Sequence, residues 1–152
     1  MQRVLTFSIS IAFLSGCAST GDQASTQSVR QNRKIAACVA AARQSEWLVV
    51  DVPAANSFIA NKMVAATLSM GGSNSVDTLV KVLSQPTRSA VAVVGENDEV
   101  TAATLEAALR NLAPGTNRST QPVCFVGDTN DAVRLTSAAE RAGLLLLMLP
   151  NS

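Results

Sequence analysis

The chain has 152 residues, of which 47% are hydrophobic and 15% charged, so it can bury a core and is not disordered overall. Lys and Arg number 12 against 11 Asp and Glu, and this net charge of +1 excludes a strongly basic surface for nucleic acid. The chain contains no His, so its sites lack the commonest general base and the commonest metal ligand.

The first residues have the pattern of an export signal. Residues 1–3 carry one positive charge and are followed by an apolar stretch at residues 4–14. A helix needs about 20 residues to span a bilayer, so this stretch fits the hydrophobic region of a secretory signal better than a transmembrane segment. The stretch ends in an apolar residue, two small residues and a cysteine, which are Leu14-Ser15-Gly16-Cys17.

This four-residue motif is similar to the lipobox of bacterial lipoproteins. The resemblance implies that residues 1–16 are a signal peptide and that Cys17, the new N-terminus, carries a diacylglyceryl group and an N-acyl chain. Acyl chains anchor a protein because each buried CH₂ contributes about 0.8 kcal/mol. Ala18 stands where Asp tends to retain such proteins at the inner membrane, so the resemblance implies an outer-membrane protein facing the periplasm. An ordinary cleaved signal with an unrelated cysteine is the alternative.

The segment after the motif is polar. Residues 18–33 are dominated by Ser, Thr, Gln and Asn. Such a segment buries too little apolar area to offset its ordering entropy, so we predict that residues 17–33 form the lipidated cysteine and a flexible tether. A random coil of this length spans about 20–25 Å. The composition changes at Lys34, and we predict a single domain over residues 34–152.

The pattern of apolar residues predicts alternating helices and strands in this domain. The predicted strands are residues 47–52, 89–95, 121–127 and 144–149, and the predicted helices are residues 34–45, 56–70, 76–85, 98–112 and 130–142. The strands are continuous apolar runs, which is typical of strands buried on both faces. We therefore predict a small three-layer α/β domain with about four mostly parallel strands, in which one edge strand could be antiparallel.

Two cysteines remain besides Cys17. Cys38 lies on the first predicted helix and Cys124 within a predicted buried strand. In an oxidising compartment this even pair predicts a disulfide that joins the helix to the sheet. Closing so long a loop stabilises by about 4–5 kcal/mol in the chain-entropy model. Two buried free thiols, which behave as small hydrophobic side chains, are the alternative.

Three acidic residues lie at the carboxyl ends of predicted strands, namely Asp51, Glu96 and Asp128. Ligands of open parallel sheets bind along this edge, and three carboxylates there could hold Mg²⁺, which prefers oxygen ligands. The alternative is a structural role for Glu96 and Asp128 at the starts of helices, where the helix dipole favours negative charge.

Known catalytic and cofactor motifs are missing from the sequence. It contains no GxSxG, GxGxxG or P-loop motif, and we predict no cofactor, no metal and no catalytic residues. We expect an outer-membrane lipoprotein that acts by protein–protein contact in an envelope assembly such as pilus, secretion or motility machinery. The alternatives are a small Mg²⁺-dependent phosphatase-like hydrolase and a ligand-binding or immunity-type lipoprotein.

Overall fold

Four parallel strands form the centre of the fold. In this computed structural model, which describes residues 21–68, 72–85, 89–113 and 121–151, the strands are β1 (Trp47–Val52), β2 (Ala90–Gly95), β3 (Pro122–Gly127) and β4 (Leu145–Pro150). Their order in the sheet is β1-β2-β3-β4, and every neighbouring pair is parallel. The α/β fold predicted from the sequence is therefore confirmed, and the antiparallel edge strand is excluded.

The described helices cover the two faces of the sheet unequally. They are α1 (Gly21–Ala42), α2 (Phe58–Leu68), α3 (Asn74–Ser84), α4 (Asp98–Asn111) and α5 (Ala132–Ala142), with a 3₁₀ turn at Thr129–Asp131 before α5. Each strand connects to its neighbour, and parallel crossovers share one hand, so α2 to α5 all pack on the same face. Only α1, which precedes the sheet, packs on the opposite face.

Local signals explain where several helices begin and end. The side chains of Ser73 and Asn97 accept hydrogen bonds from the backbone N–H of Val76 and Val100, and thereby cap α3 and α4. Gly143 ends α5 in the left-handed region, with φ at 71°, which glycine adopts without steric cost. These polar and glycine positions separate the apolar segments of the chain.

The first helix begins earlier than predicted. It starts at Gly21 rather than Lys34, so the predicted flexible tether is wrong for residues 21–33, which are helical. The physical reason is tertiary contact: the Gln31 amide donates to Asp51 at 3.0 Å, and Lys34 is buried against the sheet edge. Residues 1–20, which hold Cys17 and the predicted signal peptide, lie outside the described residues. Among the residues that are described, no helix has the length and apolar character needed to cross a bilayer.

A disulfide joins α1 to the sheet. Cys38 of α1 and Cys124 of β3 have their sulfur atoms 2.05 Å apart and their Cα atoms 5.7 Å apart. The disulfide predicted from the sequence is therefore confirmed, and the two-thiol alternative is wrong. Because β3 is an inner strand, the bond attaches α1 to the interior of the sheet.

Candidate functional site

The carboxyl ends of the strands meet at one edge of the sheet, and α1 extends beyond that edge. Along α1, Lys34 contacts Gly95 at the end of β2, and Cys38 contacts Cys124 in the middle of β3. The helix therefore runs antiparallel to the strands. Its 13 residues before Lys34 reach about 20 Å along the helix axis, past the carboxyl edge.

This edge differs from the usual ligand site of an open α/β sheet. Such sites form where the strand order reverses and the flanking helices diverge. The order β1-β2-β3-β4 has no reversal, so this sheet has no such crevice. Instead, the projecting half of α1 supplies one wall of two adjoining cavities, and the loops after β1 and β2 supply the other.

A buried charged network fixes α1 at this edge. The Lys34 ammonium donates to a carboxylate oxygen of Asp98 at 2.5 Å and to the Gly95 carbonyl oxygen at 3.1 Å. The Asn151 amide also donates to Asp98, which ties the residue after β4 to the start of α4. Since Lys34 is only 6% exposed, its charge is compensated by these contacts rather than by water.

The first cavity lies between α1 and the turn from β2 to α4. Its volume is about 320 Å³, and Arg30 and Arg33 line it from α1 while Glu96 and Asn97 line it from the turn. No carboxylate of the described residues lies within 4.0 Å of either arginine. Both arginines therefore line the cavity without an ion pair among the described side chains.

The second cavity is a wider groove of about 890 Å³ between α1 and the loop after β1. Gln27, Arg30 and Gln31 line it from α1, and Phe58 lines it from the start of α2. The floor includes Asn61, whose amide oxygen accepts a hydrogen bond from the Ala55 N–H at 2.7 Å and so shapes the loop. The groove brings the first turn of α2 next to the projecting half of α1.

The three strand-end acids have different neighbours. Asp51 accepts the hydrogen bond from Gln31, Glu96 lines both cavities, and Asp128 accepts from the backbone N–H and side chain of Asn130 at 3.1 and 3.0 Å. In the described ranges, no three His, Cys, Asp or Glu side chains are placed to hold a metal ion. Within the described residues the three acids are therefore not grouped as ligands of one ion, and Asp128 contributes to the turn before α5.

An exposed apolar surface on α2 was not predicted. Phe58, Ile59 and Met63 are 70%, 72% and 66% exposed, while the helix buries Asn61, Ala65 and Leu68. Lys62 lies among the exposed residues, 5.3 Å from the centre of the Phe58 ring. We call Phe58, Ile59, Lys62 and Met63 the α2 face. One signal for it is in the sequence: Lys62 is the only charged residue from position 52 to position 76.

The edge strand β4 also leaves apolar surface open. Its sequence is LLLMLP, and it pairs with β3 alone among the described strands. Leu145 at its start is 52% exposed. The other edge strand, β1, exposes Leu48 and Val49 at 37% and 47% but also carries the exposed acid Asp51.

Comparison with known proteins reveals no relative of this chain. No protein-family model, no curated protein and no solved structure matches it. The motif ending at Cys17, the disulfide and the open apolar surfaces are therefore the features on which a function can rest.

Proposed function

We propose that this protein is an outer-membrane lipoprotein that faces the periplasm and acts by non-enzymatic contact with another protein of the cell envelope. The single observation that carries the contact function is the uncharged edge of β4, which no other described strand pairs with. Soluble proteins usually protect such an edge with charged residues, proline or a covering segment. In β4 the only such residue is Pro150, at the very end of the strand.

The membrane anchor is supported by two features. The motif Leu14-Ser15-Gly16-Cys17 follows a short apolar stretch, as in bacterial lipoproteins. The bond between Cys38 and Cys124 suits a compartment in which disulfides persist, such as the periplasm. Export to an oxidising compartment and attachment at Cys17 are therefore chemically consistent with each other.

An open strand edge suits one recognition mode in particular. A partner strand can add to β4 through main-chain hydrogen bonds, with pockets between the β4 side chains conferring specificity. An accessory role in an envelope machine, for example one for pili, secretion or motility, is compatible with a contact of this kind. The proposed partner is thus a protein with an extended segment that pairs with β4.

Photocrosslinking in intact cells tests the contact. A photoreactive amino acid at Leu145 is expected to give a discrete adduct with another envelope protein, and the matched position Val49 on the β1 edge is expected to give none. Leu145→Lys should reduce capture of the same partner, whereas Val49→Lys should not. Equal adducts at both edges, no adduct at position 145, or an adduct only with a second copy of this chain would contradict the proposal.

The anchor has its own test. Cys17→Ser is expected to abolish lipid attachment and to move the protein from the membrane fraction to the soluble fraction or to stall its processing. Ser15→Ala, which keeps a small residue before the cysteine, serves as the control and should remain in the membrane fraction. Unchanged membrane fractionation of Cys17→Ser would show that the lipobox interpretation is wrong.

A ligand-binding lipoprotein is a second candidate, favoured by the cavity that Arg30 and Arg33 line. Two guanidinium groups without a paired acid suit a small phosphate or carboxylate ligand. Titration with inorganic phosphate or citrate, followed by NMR, is expected to shift resonances of this cavity and to have no effect on an Arg30→Gln, Arg33→Gln double variant. Equal shifts in both proteins would reject this candidate.

A further inference from the structure

We infer that the α2 face lies on the surface of the same bilayer that holds Cys17, so that the carboxyl edge of the sheet points toward the membrane. This inference rests on the proposed lipid anchor and adds an orientation to it. It concerns a different surface from the β4 edge, because α2 packs on α4 and not on β4.

The first argument is the reach of the chain between the lipid and the fold. Cys17 precedes Gly21, the first residue of α1, by four residues, which span at most about 13–14 Å. The N-terminal half of α1 extends beyond the carboxyl edge of the sheet. The membrane attachment therefore lies on the carboxyl side of the sheet, and the opposite edge lies farther from the bilayer.

The second argument is the position of α2 relative to this attachment. Phe58 faces Gln27 and Arg30 across the groove, and these residues lie about 9 to 14 Å along α1 from its start. The Lys62 ammonium pairs with Glu99 in the first turn of α4 at 3.2 Å, which also places it near the carboxyl edge. The α2 face is thus at the end of the domain where the lipid is attached.

The third argument is chemical. An aromatic, an aliphatic and a thioether side chain are exposed together with Lys62, whose ammonium also pairs with the exposed acid Glu99 of α4. Helices that lie in the membrane interface combine such apolar groups with basic side chains that extend toward the headgroups. Arg30, on the other side of the groove, adds a second basic group at this end.

A bilayer fits this surface better than a protein partner does. A specific protein interface covers about 800 Å² on each partner, and three exposed apolar side chains on an 11-residue helix are a smaller patch than that. A lipid surface needs no complementary shape and is already brought near by the anchor. The acyl chains supply the affinity, and the α2 face determines which side of the domain meets the headgroups.

Tryptophan quenching can test this orientation with the full lipidated protein. Trp47 is the only tryptophan of the chain and lies at the amino end of β1, away from the proposed contact, so it serves as the internal control. The test protein carries Trp47→Phe together with Phe58→Trp. Both proteins are reconstituted into vesicles of phosphatidylethanolamine and phosphatidylglycerol that have brominated acyl chains.

We expect several-fold stronger quenching of the tryptophan at position 58 than of Trp47. Adding Met63→Glu, a change at an exposed position that leaves the core intact, should remove most of that difference. Equal quenching at both positions in vesicle-bound protein would overturn the inference while leaving the anchor in place. Failure of the lipidated protein to float with vesicles would instead contradict the anchor, and a photocrosslink from position 58 to a protein would assign the α2 face to that partner.

Discussion

The two faces of the sheet are covered in different ways. On one face, α2 to α5 bury a large cluster that includes Leu79, Leu105, Phe125 and Leu135. On the other face, α1 covers a small cluster whose buried members in the described chain are Cys38, Ala92, Cys124 and Val126. One face is therefore held by many apolar contacts and the other by few contacts together with a covalent bond.

This difference follows from the order of the strands. With every strand next to its neighbour in sequence, all crossovers lie on one face, and the opposite face is left for a segment outside the βαβ units. In the described part of the chain, the segment before β1 is α1, and a single helix cannot cover four strands. A disulfide stabilises such an attachment mainly by restricting the unfolded chain, so it does not depend on the size of the contact.

The largest expected effect comes from removing the disulfide. The double variant Cys38→Ala, Cys124→Ala is expected to lose about 4–5 kcal/mol of unfolding free energy, because the bond joins residues 86 positions apart in sequence. Urea denaturation of the protein in a Cys17→Ser background measures this loss of unfolding free energy. Hydrogen exchange should show that α1 loses protection before α4 does. Reduction of the parent protein is the control and should give a similar loss. Little change in stability would mean that noncovalent contacts hold α1.

A cavity in the core covered by α2 to α5, which we call the four-helix face, should lower the unfolding free energy slightly less. Phe125 is fully buried there, and Phe125→Ala is expected to lower the unfolding free energy by about 3–5 kcal/mol through lost burial and the cavity left behind. Val133→Ala, at an exposed position of α5, is the control and should change stability by less than about 0.5 kcal/mol. A small effect at Phe125 would contradict the assignment of the main core to this face.

The hydrogen bonds of Lys34, which connect α1 to the sheet edge, should contribute less to the unfolding free energy than the Phe125 side chain does. Lys34→Met removes two hydrogen bonds of a buried ammonium and is expected to cost about 1.5–3 kcal/mol. Lys62→Met is the matched control, since its ion pair with Glu99 is exposed and worth about 0–1 kcal/mol. Equal losses in the two variants, measured by denaturation in low salt, would show that burial does not strengthen the Lys34 contacts.

Loss of the α4 helix cap should lower the unfolding free energy least. The Asn97 side chain accepts a hydrogen bond from the Val100 N–H at 3.0 Å, and Asn97→Ala is expected to cost about 1 kcal/mol. Asn97→Gly should cost only a few tenths of a kcal/mol, because glycine is also tolerated at a cap. A reversed order of these two losses would contradict the capping role.

Strands were predicted more accurately than helix surfaces, and burial explains why. The predicted bounds of β2 and β3 agree with the observed ones to within one residue, because a strand buried by layers on both sides must be almost wholly apolar. The first half of α1 could not be predicted, since its polar residues become helical through contacts such as that of Gln31 with Asp51. The composition of a short segment does not indicate which distant residues it will contact.

The candidate site could be predicted only in part. Alternating helices and strands place Asp51, Glu96 and Asp128 at one edge, and the structure agrees on that edge. Whether the side chains meet depends on loop geometry, which sends Asp128 toward Asn130. The exposed side of α2 was missed because its polar residues do not mark that side: Asn61 is buried, whereas Phe58 and Ile59 are exposed.

The path from the anchor to the fold also has a mechanical consequence. In a protein held at Cys17, tension on the lipid passes along α1 and reaches β3 through the bond between Cys38 and Cys124. The load then falls on an inner strand, which is hydrogen-bonded on both sides by β2 and β4. Pulling from the membrane could therefore unwind α1 only as far as Cys38, and any further extension would have to shear the middle of the sheet.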